Sequence, residues 1–169
     1  MHQSAQRIIA LAFATVALLA PALAFADGDV HVSLTAQRVT VADGHDVFAS
    51  ADKARPGDVI EYRAVYKNDG RYAVRELFAT LPVPSGLEYL PKTAAPAVVL
   101  ASTDGKSFAP IPLVRMQRMS DGREEAREVP LSEYRALRWS VGTLPSKESR
   151  TVAARMRLTP LAPVAAVAR

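Results

Sequence analysis

The residues of this chain that could carry chemistry are few and scattered. Histidine occurs three times, at His2, His31 and His45. His31 stands on the polar side of an alternating run, and His45 sits in the polar loop Asp43-Gly44-His45-Asp46. A metal centre or a catalytic triad needs several such groups brought together. The chain has no cysteine to add a thiolate ligand or nucleophile. Asp69, Asp104 and Asp121 each precede a glycine, but calcium takes about six or more oxygen ligands, and no carboxylate cluster accompanies these turns. Glu124, Glu125 and Glu128 could serve as a general acid and base only if burial raised a pKa. They stand instead among Arg123 and Arg127 in a polar segment. No zinc-helix, phosphate-loop or nucleophile-elbow spacing is present. The sequence therefore predicts no catalytic residue, no metal site and no cofactor.

The segment with the strongest binding character is residues 114–130. It places Arg115, Arg118, Arg123 and Arg127 around Met116 and Met119. Loops longer than about 12–15 residues are usually functional or disordered. Methionine gives adaptable apolar contact and arginine gives anchoring hydrogen bonds. Arg115, Met116, Arg118, Met119, Arg123 and Arg127 are the expected partner-binding residues, set against the alternative that the segment is a hairpin extension or mobile loop serving only as a connector.

Strands must position these residues. Ile60, Tyr62, Ala64 and Tyr66 alternate with Glu61, Arg63 and Lys67, and Val65 is the exception on the polar side. Val30, Val32 and Leu34 alternate likewise, as do Leu77, Ala79 and Leu81, then Leu137, Trp139 and Val141, then Val152, Ala154, Met156 and Leu158. Period two offers one face to a core and the other to water. Pro56-Gly57-Asp58, Asn68-Asp69-Gly70, Pro84-Ser85-Gly86, Asp104-Gly105 and Asp121-Gly122 supply turn chemistry between the runs. Asn68-Asp69-Gly70 is expected to reverse the chain as a hairpin. Residues 131–137 also fit a helix, with Leu131, Tyr134 and Leu137 three apart, but the alternation through Trp139 and Val141 favours a strand. Short strands at this spacing predict an all-β antiparallel sandwich of about seven to eight strands. Its core is expected around Trp139, Tyr62, Ile60, Leu81 and Met156, with Tyr72 and Tyr134 as the exposed aromatics.

The N-terminus reads as a cleaved signal peptide. Met1 to Arg7 carries one positive charge and no acid, residues 8–20 are apolar or small, and Ala24-Phe25-Ala26 offers the small residues of a cleavage site. The apolar run is shorter than the roughly 18 residues a membrane span requires. The expected organisation is a signal peptide over 1–26, a β-sandwich domain over 27–158 and a flexible tail over 159–169. Cleavage removes Arg7 and takes the net charge from +4 to +3. Without cysteine, packing must hold the exported domain. The basic residues are interspersed with acids and lack an aromatic-studded stripe, so no nucleic-acid partner is expected.

Several of these residues carry a resemblance to a family. Pro56-Gly57-Asp58, Ile60, Tyr62, Ala64, Asn68-x-Gly70, Leu81-Pro82 and Gly86-Leu87-x-Tyr89 follow a pattern completed by Leu137-x-Trp139-x-Val141-Gly142-x-Leu144. Over residues 51–158 the chain resembles the bacterial conserved repeat domain known as domain of unknown function eleven. The resemblance implies an immunoglobulin-like β-sandwich in exported envelope or surface proteins, with no established catalytic residues. The chain departs from the pattern at Ala79, where the family often has an acid, in the length of residues 91–130, and in having no internal repeat.

The function expected from all this is a non-catalytic envelope or surface module that binds another protein or packs into an assembly. Its location would be periplasmic or extracellular. The alternatives are a binder of glycan or anionic envelope polymer and an enzyme with an unrecognised site.

Overall fold

The computed structural model describes residues 30–159, so the expected signal peptide over 1–26 and all but the first residue of the expected tail over 159–169 lie outside the described residues. Eleven antiparallel strands form three sheets, and among the described residues there is no α-helix. The strands are β1 (Val30–Ala42), β2 (His45–Ser50), β3 (Val59–Asn68), β4 (Val74–Pro82), β5 (Leu87–Tyr89), β6 (Leu100–Ser102), β7 (Ala109–Pro110), β8 (Val114–Arg118), β9 (Glu124–Glu128), β10 (Ala136–Leu144) and β11 (Ser149–Leu158). The expected seven or eight strands are exceeded because residues 91–130 contribute four of them, β6 to β9. The three residues of β6 and the two of β7 are too short for an alternation to register in the sequence, and β8 and β9 lie within the segment read as a loop.

Sheet one has the order β2-β1-β3-β11-β5 and sheet two the order β4-β10-β6-β7. Their inner faces meet in one core. Ile60, Ala64 and Tyr66 of β3 and Val152, Ala154 and Met156 of β11 pack with Ala79 and Leu81 of β4 and Leu137, Trp139 and Leu144 of β10. The fold is thus all-β and sandwich-like. Trp139 is almost fully buried, and its indole N–H donates to the Pro96 carbonyl oxygen at 2.7 Å, which satisfies the one polar atom that burial would otherwise strand. Tyr62 is only half-buried.

Asn68-Asp69-Gly70 does not close a hairpin. β3 belongs to sheet one and β4 to sheet two, so the chain crosses between layers there. Asn68 is fully buried at the crossing. Its Nδ2 donates to the carbonyl oxygens of Tyr72 and Leu144, at 2.8 and 3.0 Å, and its Oδ1 accepts from the Gly70 N–H at 3.0 Å. One side chain therefore fixes the turn and ties it to the end of β10. Residues 131–137 also divide: Leu131–Glu133 is a single 3₁₀ turn, and the strand begins at Ala136.

Val32 and Leu34 are the clearest departure from the rule that an alternating run turns its apolar face to a core. They lie opposite the core residues Tyr66 and Ala64 in the β1–β3 register, and so face inward, yet they are 55% and 52% exposed. β1 extends past the edge of sheet two, and nothing among the described residues covers this part of its inner face.

Candidate functional site

β8 and β9 form a two-stranded sheet of their own, paired from Val114↔Glu128 to Arg118↔Glu124. Residues 114–130 are therefore mainly a hairpin, not an irregular loop. The alternation of Val114 and Met116 with Arg115 and Gln117, followed by Asp121-Gly122, was the signal for it. Every strand residue of the ribbon is exposed. One face presents Val114, Met116 and Arg118 beside Glu128, Ala126 and Glu124. The other presents Arg115 and Gln117 beside Arg127 and Glu125. Val114 and Met116 are the largest apolar groups displayed.

The tip is a tight turn. The Met119 N–H donates to the Arg123 carbonyl oxygen at 2.7 Å and the Gly122 N–H to that of Met119 at 3.0 Å. Asp121 accepts from the Arg123 N–H at 3.0 Å and from its guanidinium at 2.7 Å. These bonds hold the Asp121 carboxyl below the usual carboxylate range. Gly122 has a φ of +84°, the left-handed conformation that glycine adopts without cost.

The root is anchored more firmly. The Val129 N–H donates to the Leu113 carbonyl oxygen at 2.8 Å, and both residues are buried. The Leu113 N–H in turn donates to the Tyr134 hydroxyl at 2.9 Å. Tyr134 is not the exposed aromatic that the sequence suggested. It is 1% exposed, with its ring stacked on Tyr89 at 6.5 Å between centroids. The run of Leu131, Tyr134 and Leu137 gave no hint that Tyr134 would support the base of a hairpin, because that depends on Leu113, 21 residues away. Tyr72, by contrast, is exposed as expected.

The arginines of the ribbon are largely neutralised in place. Arg115 and Arg127 face each other across the strands, an unfavourable like-charge pair. Arg115 is relieved by a two-pronged contact with Glu133 at 2.6 and 2.9 Å, which also straps the ribbon to the 3₁₀ turn. Hydrogen bonding by Glu133 holds the Arg115 guanidinium above its ordinary pKa. Arg127 meets Glu125 at 3.3 Å and Arg123 meets Asp121. Exposed Arg118, near the tip, makes no ion pair among the described residues. Met119 is half-buried. The structure thus brings Arg115, Met116 and Arg127 onto one two-stranded ribbon, with Arg118, Met119 and Arg123 at or near its tip.

Beside the root, a cleft of about 660 Å³ opens between the hairpin base and residues 91–99, lined among others by Val99, Ile111, Pro112, Val129, Leu131 and Tyr134. It is mainly apolar, with Lys92 and Glu128 at its margin. A second, more open hollow lies on the outer face of sheet one, against Glu61, Arg63 and Arg155. Arg155 there forks between carboxylates, reaching Glu61 at 3.2 Å and gripping Asp46 of β2 through both terminal nitrogens. This cluster joins side chains of β2, β3 and β11, and no spacing in the sequence marks it. His31 and His45 are exposed, and His31 lies 3.8 Å from Asp69. Among the described residues no three His, Asp or Glu side chains converge closely enough to hold a metal ion, and no helix is long and apolar enough to cross a membrane.

No protein-family model, curated protein or solved structure matches this chain.

Proposed function

We propose that this chain is a non-catalytic module of the bacterial cell envelope or surface, exported through its N-terminal signal, that binds another protein through the β8–β9 hairpin. In this reading the two facing sheets are an immunoglobulin-like sandwich of the kind found in the conserved repeat domain that the sequence resembles. One observation carries it. All ten strand residues of the hairpin are exposed, while its root is locked by buried Leu113, Val129 and Tyr134. A ribbon needed for the core would bury one of its faces. This one is rigidly mounted and contributes nothing to the interior, as a recognition element would be.

Val114 and Met116 supply apolar contact on one face. Arg115, Arg123 and Arg127 meet Glu133, Asp121 and Glu125 on the ribbon's surface, where they can exchange these partners for acidic groups of a bound protein. Arg118 supplies a cation for an acidic group of the partner. The apolar cleft at the root offers a place for a partner side chain.

A photo-crosslinking amino acid at Met116, with a control at exposed Asp52, tests the reading in the envelope of the native host. Discrete protein adducts from position 116 and none from 52 are the expected result. Polysaccharide adducts, or equal labelling from both positions, would contradict it.

A further inference from the structure

The open border of β1 carries an inference separate from the hairpin. β1 pairs with β3 along residues 30–39, but β2 covers its other side only from Gln37↔Ser50 onward. Among the described residues, no strand lies beside the backbone N–H and C=O groups that residues 30–36 present on this side. Several other borders carry devices that block pairing. β5 has three residues, and β7 has two, one of them Pro110. β4 is bulged near Glu76, which has a φ of +53°. Along β11, Ala95 bridges to Ala153 and Thr93 bonds to Arg155. β2 places the charge of Asp46 along its length. Residues 30–37, Val-His-Val-Ser-Leu-Thr-Ala-Gln, contain no Asp, Glu, Lys, Arg, Pro or Gly.

We propose that β1 pairs with β1 of a second copy of this chain, antiparallel about a two-fold axis at Ser33, to join the two five-stranded sheets into one. The strand is complementary to itself in that register. Val32 falls opposite Leu34 of the other copy, and Val30 opposite Ala36, all on the inner face. On the outer face His31 meets Thr35, and Ser33 meets its own equivalent. No fixed charges oppose each other. The pairing also explains the half-exposed Val32 and Leu34, since each gains an apolar neighbour across the axis. Because the contact is a single strand pair, it falls below the roughly 1,200 Å² of a standard interface. The dimer is accordingly weak and concentration-dependent.

Sedimentation velocity of the exported protein, from micromolar to near-millimolar concentration, tests this. Exposed Ser33 can be replaced without touching the core, so folding is retained. Ser33→Lys sets two lysines against each other at the axis and should weaken self-association by about five-fold. Ser33→Asp alone should do the same, and an equimolar mixture of the two variants should restore association. A protein that stays monomeric throughout, association insensitive to Ser33→Lys, or variants that fail to rescue each other would overturn the proposal. So would dimerisation that appears only after residues 160–169 are deleted, because the chain's own terminus would then be the occupant of the edge.

Discussion

The Tyr66 hydroxyl accepts from the Thr80 N–H at 2.9 Å and donates to the Thr80 carbonyl oxygen at 3.1 Å. Tyr66 belongs to sheet one and Thr80 to the border strand of sheet two. A phenol thus stands where the backbone of a neighbouring strand would, and occupies one pair of β4's unpaired groups. Tyr66→Phe keeps the ring and removes both bonds. Leaving two partly buried backbone groups without partners costs about 1–3 kcal/mol, read as a lowered midpoint of chemical denaturation. An unchanged midpoint would mean that water replaces the hydroxyl.

Asn68 at the layer crossing gives a sharper test, because it holds two carbonyl oxygens through its amide. Asn68→Asp places a carboxyl against those oxygens in a fully buried site. Burial and the facing carbonyls raise the pKa of such a group above the unfolded value of about 3.9. The acid form can still donate one bond, so the variant should come closest to wild type below about pH 4. The gap should then widen as the pH rises toward neutrality and the folded-state group is forced to ionise. A gap independent of pH would contradict the burial of this side chain.

Asp104 works in the opposite sense. Its carboxylate accepts from the Lys106 and Ser107 N–H groups at 2.7 and 2.8 Å and from the Ser102 hydroxyl at 2.8 Å. The backbone bonds from Lys106 and Ser107, and then the bond from Ser102, hold its carboxyl well below the usual carboxylate range. A depressed pKa stabilises the fold above the unfolded pKa, and that contribution is lost as the pH falls through the folded one. The stability difference between wild type and Asp104→Asn should therefore be constant from neutral pH to about pH 5 and shrink in stronger acid. A difference that persists undiminished in acid would show that the turn does not depend on the charge.

Trp139 lies at the centre of the core, as its place in the alternation suggested. Truncation of a buried aromatic costs about 3–5 kcal/mol, a large part of the roughly 5–15 kcal/mol available to a domain. Trp139→Ala should be poorly folded at room temperature, with a collapsed denaturation midpoint. A midpoint equal to that of wild type would contradict the packing described.

The alternation at Ile60, Ala64 and Tyr66 and at Val152, Ala154 and Met156 was legible because period two encodes which side chains share a face. It does not encode whether that face is covered. Val32 and Leu34 obey the same pattern as Ala64, yet stand past the edge of sheet two. Turn chemistry has a similar limit. Asn68-Asp69-Gly70 marks a reversal, but which sheet receives the next strand depends on contacts such as Asn68 to Leu144, far apart in sequence. Residues 114–130 were legible as a distinct segment, and their ribbon form could be read from Val114, Met116 and the Asp121-Gly122 turn. The support from Tyr134 and the bridge of Arg155 to Asp46 could not, since each joins strands whose register only the whole fold determines.

In the function proposed, the β8–β9 hairpin is a recognition element mounted on a fold that does not need it. Replacing residues 114–128 by a short glycine-containing turn between Leu113 and Val129 tests this most directly. The measurement is recovery of the protein species that crosslinks at position 116, using tagged wild type and the shortened chain side by side in envelope extract. A denaturation midpoint close to wild type and loss of that species are expected. Recovery of the same species in equal yield by the folded, shortened chain would show the hairpin to be a connector and not a recognition element.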